Sequence, residues 1–196
     1  MRKWCLLMFW VLMAAANGWP QASQRLEIEG AIGNLELDKA TALTFKEPSD
    51  KLRYYYQTRI LFIHYLINED EQLLAAFWDQ SKRALGVIQK LPDSDPERDL
   101  IAAELFFLRG AIKAMDKKNV AAALELKNSC TLIYRNSQRF PQNREQLKLL
   151  GIFNVAMSAI PKKLKWLGSV LCFPGNLNLG IRQLETAAKE SKLLPQ

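Results

Sequence analysis

The chain has 196 residues, of which 49% are hydrophobic and 24% are charged. These proportions are ordinary for a folded protein and exclude an intrinsically disordered chain, which combines low hydrophobicity with high net charge. The formal net charge is +7. Because the basic residues are dispersed, this excess indicates a solvated surface and not a nucleic-acid-binding patch. The length suffices for one full core or for a row of stacked helix pairs.

The first 22 residues have the pattern of a secretory signal peptide. Arg2 and Lys3 precede an unbroken apolar run over 4–16, and helix-breaking residues follow over 17–20. A basic start, a short apolar run and a break are typical of an export signal. We therefore predict a signal peptide over 1–22 and a mature chain that is periplasmic or secreted. An uncleaved membrane anchor is the alternative, but the apolar run is short for a spanning helix.

Apolar residues recur at helical spacing through the rest of the chain, and no stretch alternates for long enough to predict a strand. The predicted helical segments are 24–44, which has a weak first part and a better second part, 51–67, a segment that starts within 68–71 and stops before Pro92, 94–115, 120–139, 145–160, and a helix pair within 159–184. Short turns between long helices make antiparallel neighbours. We therefore predict an all-α domain over 23–196, a right-handed stack of helical hairpins with about eight helices.

Polar residues between these segments predict where two of the helices start. Asn68 with Glu71 three residues later matches a capping box. Asp95 before Pro96 combines a capping residue with a proline suited to the first helical turn. These signals predict helix starts close to Asn68 and Asp95.

The segment 159–184 has the most specific pattern in the chain. Gly168 and Gly180 stand inside its two predicted helices, and Gly110 and Ala122 repeat their spacing in the preceding helix pair. A glycine inside a helix costs about 1 kcal/mol relative to alanine, so we interpret these residues as points where helix backbones approach closely. Such spacing is typical of the helix–turn–helix unit of tetratricopeptide repeats. An ordinary helical hairpin is the alternative.

The same region carries a likeness to a family. The residues concerned are Gly151, Ile160, Pro161, Trp166, Phe173, the turn glycine Gly175, and Gly180. With them, the chain resembles the N-terminal part of uncharacterised, exported tetratricopeptide-like proteins of bacteria, although Cys172 replaces the glycine usual before the phenylalanine. The resemblance implies the fold and the export, and no biochemical activity. Proteins of this kind continue with further helices, so the chain is expected to be a short or a truncated member.

No group of residues predicts catalysis, a metal site or a cofactor. His64 is the only histidine, and a single histidine cannot build a typical zinc site, so we interpret it as a core residue. Acidic residues over 93–104 have the spacing of a calcium loop, but Arg98 stands where that loop needs glycine. Cys130 and Cys172 either pair in an oxidising compartment or stay as buried thiols. We therefore predict a protein that is not an enzyme.

Three consecutive tyrosines are the first candidates for contact with a partner. Tyr54, Tyr55 and Tyr56 begin a helix together, and three successive positions cannot all face one core. Exposed aromatic residues are good anchors at protein interfaces. We therefore predict a scaffold that binds a protein or peptide through exposed members of this group. An aromatic rim with its hydroxyl groups in water is the alternative.

A basic stretch near the C-terminus supports a second functional class. Lys162, Lys163 and Lys165 flank an apolar run with Trp166, as in helices that lie on a membrane surface. The alternative function is thus a peripheral membrane or envelope component. The alternative explanation of the basic stretch is structural: the lysines lie on the solvent-exposed side of a packed helix. Because stacked repeats need a polar cap, we expect the C-terminal helix pair to meet a partner, to self-associate with a second copy, or to be covered by the N-terminal residues.

Overall fold

The computed structural model describes residues 23–159 and 175–190. The predicted signal peptide over 1–22 therefore lies outside the described residues. So do several residues singled out in the sequence, namely Pro161, Lys162, Lys163, Lys165, Trp166, Gly168, Cys172 and Phe173.

The described residues form eight α-helices, which confirms the all-α prediction. Their bounds are α1 Ser23–Gly33, α2 Leu37–Thr44, α3 Asp50–Asn68, α4 Glu71–Ile88, α5 Arg98–Met115, α6 Asn119–Arg139, α7 Gln146–Ser158 and α8 Leu177–Glu190. No strand occurs within these two ranges. The bounds follow the sequence pattern closely because each helix carries apolar residues at helical spacing and ends at a polar turn.

Consecutive helices pack as antiparallel pairs. The most extensive contacts join α1 to α2, α3 to α4, α5 to α6 and α7 to α8, and smaller contacts join each pair to the next. Helix α3 also contacts α5 directly. Because α3 lies beside α5, residues that are far apart in the sequence lie close together in the fold.

The predicted helix starts need small corrections. Helix α4 is capped by Asp70, whose side chain accepts a hydrogen bond from the Gln72 backbone nitrogen at 2.6 Å, and not by Asn68. Asn68 instead ends α3, and Glu69 takes a left-handed conformation that reverses the chain. Asp95 accepts a hydrogen bond from the Glu97 nitrogen in a turn that precedes α5. The cap residues thus form the turns, and the helices begin slightly later.

Small residues mark the points where helices approach closely. A methyl group added at Gly110 would lie 3.4 Å from the Ala122 carbonyl oxygen, so the predicted approach of these two residues is confirmed. Gly180 packs on Gly151, where an added methyl group would lie 2.9 Å from the Gly151 carbonyl oxygen. Gly175 has a φ of +74° and leaves no room for a side chain against the end of α7. Glycine is therefore required at this corner.

Aromatic and branched side chains fill one continuous core. Tyr55, Tyr56 and Phe77 are fully buried. Phe107 of α5 meets Phe153 of α7 edge-to-face, with ring centroids 5.3 Å apart. Aromatic pairs of this geometry stabilise a core by about 0.5–1.5 kcal/mol beyond their area burial. Within the described ranges, no helix has the length and apolar character needed to cross a membrane.

Candidate functional site

A row of alternating charges crosses the four odd-numbered helices. Arg59 of α3 contacts Glu29 of α1 at 2.5 Å and Glu104 of α5 at 3.7 Å. Lys148 of α7 contacts the other side of Glu104 at 3.5 Å. We call these four residues the charge ladder. Removing Arg59 would leave the buried carboxylate of Glu29 without its cation, so the ladder favours the observed alignment of α1 with α3.

The ladder holds Arg59 and Glu104 in their charged forms. Burial by itself would lower the pKa of Arg59, but Glu29 and Glu104 hold that pKa well above its ordinary value. Burial would likewise raise the pKa of Glu104, yet Lys148 and Arg59 keep it below its ordinary value. Opposite charges at short range outweigh desolvation at both positions.

A second set of ion pairs joins the N-terminal ends of the odd-numbered helices. Lys51 at the start of α3 contacts Asp95 at 2.8 Å and Glu97 at 2.7 Å, both just before α5. Arg25 of α1 contacts Glu97 from the other side at 3.6 Å. The starts of α1, α3 and α5 are therefore held together by charges of both signs.

A cavity of about 520 Å³ opens beside these ion pairs. Its lining comes from α1, the turn before α5, the first turn of α5, the end of α6 and the connection to α7, namely Arg25, Pro96, Glu97, Leu100, Arg139, the segment 140–143 and Glu145. Small-molecule and side-chain pockets fall in this range of volume and combine apolar walls with a few polar groups. The cavity therefore has the size and lining of a binding site.

Glu145 is the lining residue with the most perturbed acidity. Burial raises the pKa of its carboxyl from 4.5 to about 7, although Lys148 opposes the rise. The carboxylates of Glu29, Glu104 and Glu97 add to it. Within the described chain, this carboxyl has no ion-pair or hydrogen-bond partner, and the backbone nitrogen of Glu145 donates to Asn143 Oδ1 at 3.1 Å. An acid without a partner in a cavity is a candidate functional group.

The structure corrects the tyrosine prediction. Tyr55 and Tyr56 are both fully buried, so neither side chain can contact a partner as the sequence prediction required. Their rings lie 5.3 and 5.8 Å from the guanidinium of Arg59, where they shield the ladder from water. Tyr54 is half-buried with Arg53 over its ring. Two tyrosines can turn inward because α3 packs against α2, α4 and α5 and so has a wide buried face.

The other singled-out residues take structural positions. His64 is half-buried on α3, and Cys130 is buried in the core. Asp99, one of the spaced acidic residues, binds Arg135 through two hydrogen bonds of 2.6 Å. Within 23–159 and 175–190, no three histidine, cysteine or acidic side chains gather in a way that could hold a metal ion.

Sequence reasoning missed both the ladder and the cavity. A signal for the ladder was present, since Glu104 stands inside an apolar run, where an isolated charge needs a partner, and Arg59 directly precedes another such run. No comparable signal marked Glu145, because it stands in a polar stretch after Pro141. Its importance depends on the burial that the neighbouring helices provide.

Comparison of the chain with models of known protein families, with curated proteins and with solved structures finds no match.

Proposed function

We propose that this protein is an exported helical-hairpin scaffold, related in style to tetratricopeptide arrays, that binds a protein or peptide partner without catalysing a reaction. The observation that carries this proposal is the cavity beside the starts of α1, α5 and α7. Export rests on the sequence pattern of residues 1–22 alone.

The cavity is suited to receive a single side chain of a partner. It is less suited to contact a flat surface of a partner. Phe140, Leu100 and Pro96 give it apolar walls, while Glu97 and Glu145 place carboxyl groups beside those walls. A peptide residue can bury an apolar stem against such walls and present a polar head to the charged groups. Arrays of helical pairs commonly bind extended partners on a surface built by successive pairs.

A capture experiment with a cavity-filling variant tests this proposal. The full chain is used as bait on the envelope fraction of its source organism, beside the variants Gln142→Trp and Gln89→Trp. Gln142 lines the cavity, whereas Gln89 is an exposed residue at the end of α4. A partner enriched by the wild type and by Gln89→Trp but lost with Gln142→Trp supports the proposal. Equal capture by all three proteins, or no enrichment over bare resin, refutes it.

A peripheral membrane component is the second candidate function. Helix α8 exposes three large apolar residues, Leu177, Leu179 and Ile181, and it follows the basic stretch that contains Lys162, Lys163 and Trp166. Apolar residues beside lysines are typical of helices that bind anionic lipid surfaces. Sedimentation with anionic and with neutral vesicles tests this function. Absence of anionic-vesicle binding by the full chain excludes it.

A further inference from the structure

The charges around the cavity are nearly all engaged with one another. Glu97 is bound by Lys51 and Arg25, and Glu104 is bound by Arg59 and Lys148. The Glu145 carboxyl has no such ion pair, since no described cation lies within ion-pair distance of it. The Glu145 carboxyl is partly buried, and a cation brought next to it would compensate its charge.

Charged groups face Glu145 from every helix that packs around the cavity. They are Arg25 and Glu29 on α1, Lys51 at the start of α3, Glu97 and Glu104 on the α5 side, Arg139 at the end of α6 and Lys148 on α7. The cations among them, apart from Arg139, already bind other carboxylates. Burial raises the pKa of Glu145, and the carboxylates of Glu29, Glu104 and Glu97 add to the rise, so a positive charge brought close to Glu145 would favour its ionised form.

We propose that the cavity receives a lysine or arginine side chain of the partner, with its cationic head against Glu145 and its aliphatic stem between Phe140 and Leu100. This assignment rests on the proposed function and names the chemistry that the same cavity recognises. The volume of about 520 Å³ accommodates a long side chain together with part of its backbone. Long basic side chains bury their methylene groups along apolar walls and keep the charged head at a polar site.

An acidic ligand fits the cavity less well. Arg25 already lies 3.6 Å from Glu97, so part of its charge is compensated before any ligand arrives. Arg139 is exposed and rests beside the Phe140 ring, with its guanidinium carbon 5.7 Å from the ring centroid. An acidic group bound by Arg139 alone would be screened by water and would gain little.

Nuclear magnetic resonance titration of the full chain with blocked amino acids tests the proposal. The probes are the N-acetyl amides of lysine, arginine, norleucine and glutamic acid. Norleucine keeps the aliphatic stem and lacks the charge, so it serves as the matched control ligand. The expected result is that lysine and arginine amides shift the backbone resonances of 140–145, and that both bind at least about tenfold more tightly than norleucine amide.

Two variants locate the binding group. Glu145→Gln removes the charge with little change in shape, and Glu185→Gln removes the charge of an exposed residue on α8. The Glu145→Gln variant is expected to lose at least about tenfold in affinity for the lysine amide, and Glu185→Gln is expected to lose none. The wild-type affinity is also expected to fall between about pH 8 and about pH 5, where Glu145 takes up a proton.

Three outcomes overturn the basic-side-chain assignment. They are unchanged lysine binding by Glu145→Gln, tighter binding of glutamic acid amide than of lysine amide, and no shift with any basic probe. The capture experiment reports separately on the proposed function. A partner that is lost with Gln142→Trp but retained with Glu145→Gln supports the scaffold and rejects a basic anchor.

Discussion

Replacement of Glu145 by glutamine is expected to change how stability depends on pH. In the folded chain, burial and three neighbouring carboxylates raise the pKa of Glu145 from 4.5 to about 7. In the unfolded chain, the same carboxyl is solvated and ionises near its ordinary value. The folded state therefore holds one more proton than the unfolded state between these two pH values, and glutamine imitates the protonated form.

The sign and size of the effect follow from this proton difference. The free energy of unfolding of the wild type falls by about 1.4 kcal/mol for each pH unit over which the folded state holds the extra proton. The stabilising contribution of protonated Glu145 is fully present below about pH 4.5 and is lost as the pH rises through about 7. The upper limit of the loss is about 3 kcal/mol. Partial exposure and the positive end of α7 reduce it to about 1–2 kcal/mol.

Urea denaturation followed by circular dichroism measures this difference. The wild type, Glu145→Gln and the exposed-site control Glu185→Gln are unfolded at about pH 5 and at about pH 8. Glu145→Gln is expected to match the wild type at the lower pH and to exceed it by about 1–2 kcal/mol at the higher pH. Glu185→Gln is expected to follow the wild type at both values within about 0.5 kcal/mol.

The result that refutes the reasoning is a difference between wild type and Glu145→Gln that does not grow with pH. A variant less stable than the wild type at the higher pH would show that the ionised carboxyl has a favourable partner in the folded chain. In that case the cavity would lack the uncompensated acid on which its assignment to a basic side chain depends.

Three further substitutions test the packing. Arg59→Met is expected to lower the free energy of unfolding in urea by about 3–5 kcal/mol, because Glu29 loses its buried cation. Gly175→Ala is expected to lower the melting temperature through a loss of about 2 kcal/mol or more, since φ is positive and the added methyl group would lie 2.6 Å from the Ser158 nitrogen. Gly86→Ala is expected to raise the free energy of unfolding by up to about 1 kcal/mol, because this glycine lies inside α4 with open space around it. A change in stability of the opposite sign at any of the three positions would contradict the explanation given for that position.

Helix positions could be predicted because they depend on local patterns. The apolar spacing of 120–139 gave the bounds of α6 almost to the residue, whereas α4 ends at Ile88, earlier than the predicted stop before Pro92. The approach of Gly110 to Ala122 could also be predicted, since both residues lie on helices joined by a short turn. The pairing of Gly180 with Gly151 was not predicted, because it depends on how α8 docks after an intervening segment.

The tyrosines show what local reasoning leaves open, since Tyr54 keeps some exposed surface whereas Tyr55 and Tyr56 are buried. Three consecutive residues on a helix project over a wide arc, so an isolated helix would expose at least one of Tyr54, Tyr55 and Tyr56. The wide buried face of α3 takes in Tyr55 and Tyr56 together, with Arg59 against both rings. How much of a helix is buried depends on its neighbours, and the helix's own sequence does not specify them.

The amino-acid sequence by itself determined that the chain is all-helical and where most helices begin and end. It also identified Gly175 as the glycine that forms the corner before α8. Only the tertiary structure decided that Glu29, Arg59, Glu104 and Lys148 form one ladder and that Glu145 faces a cavity without a cation of its own. The reason is physical. Helix formation follows from periodicity within a few turns, whereas the effect of a charge depends on burial and on partners that come from distant parts of the chain.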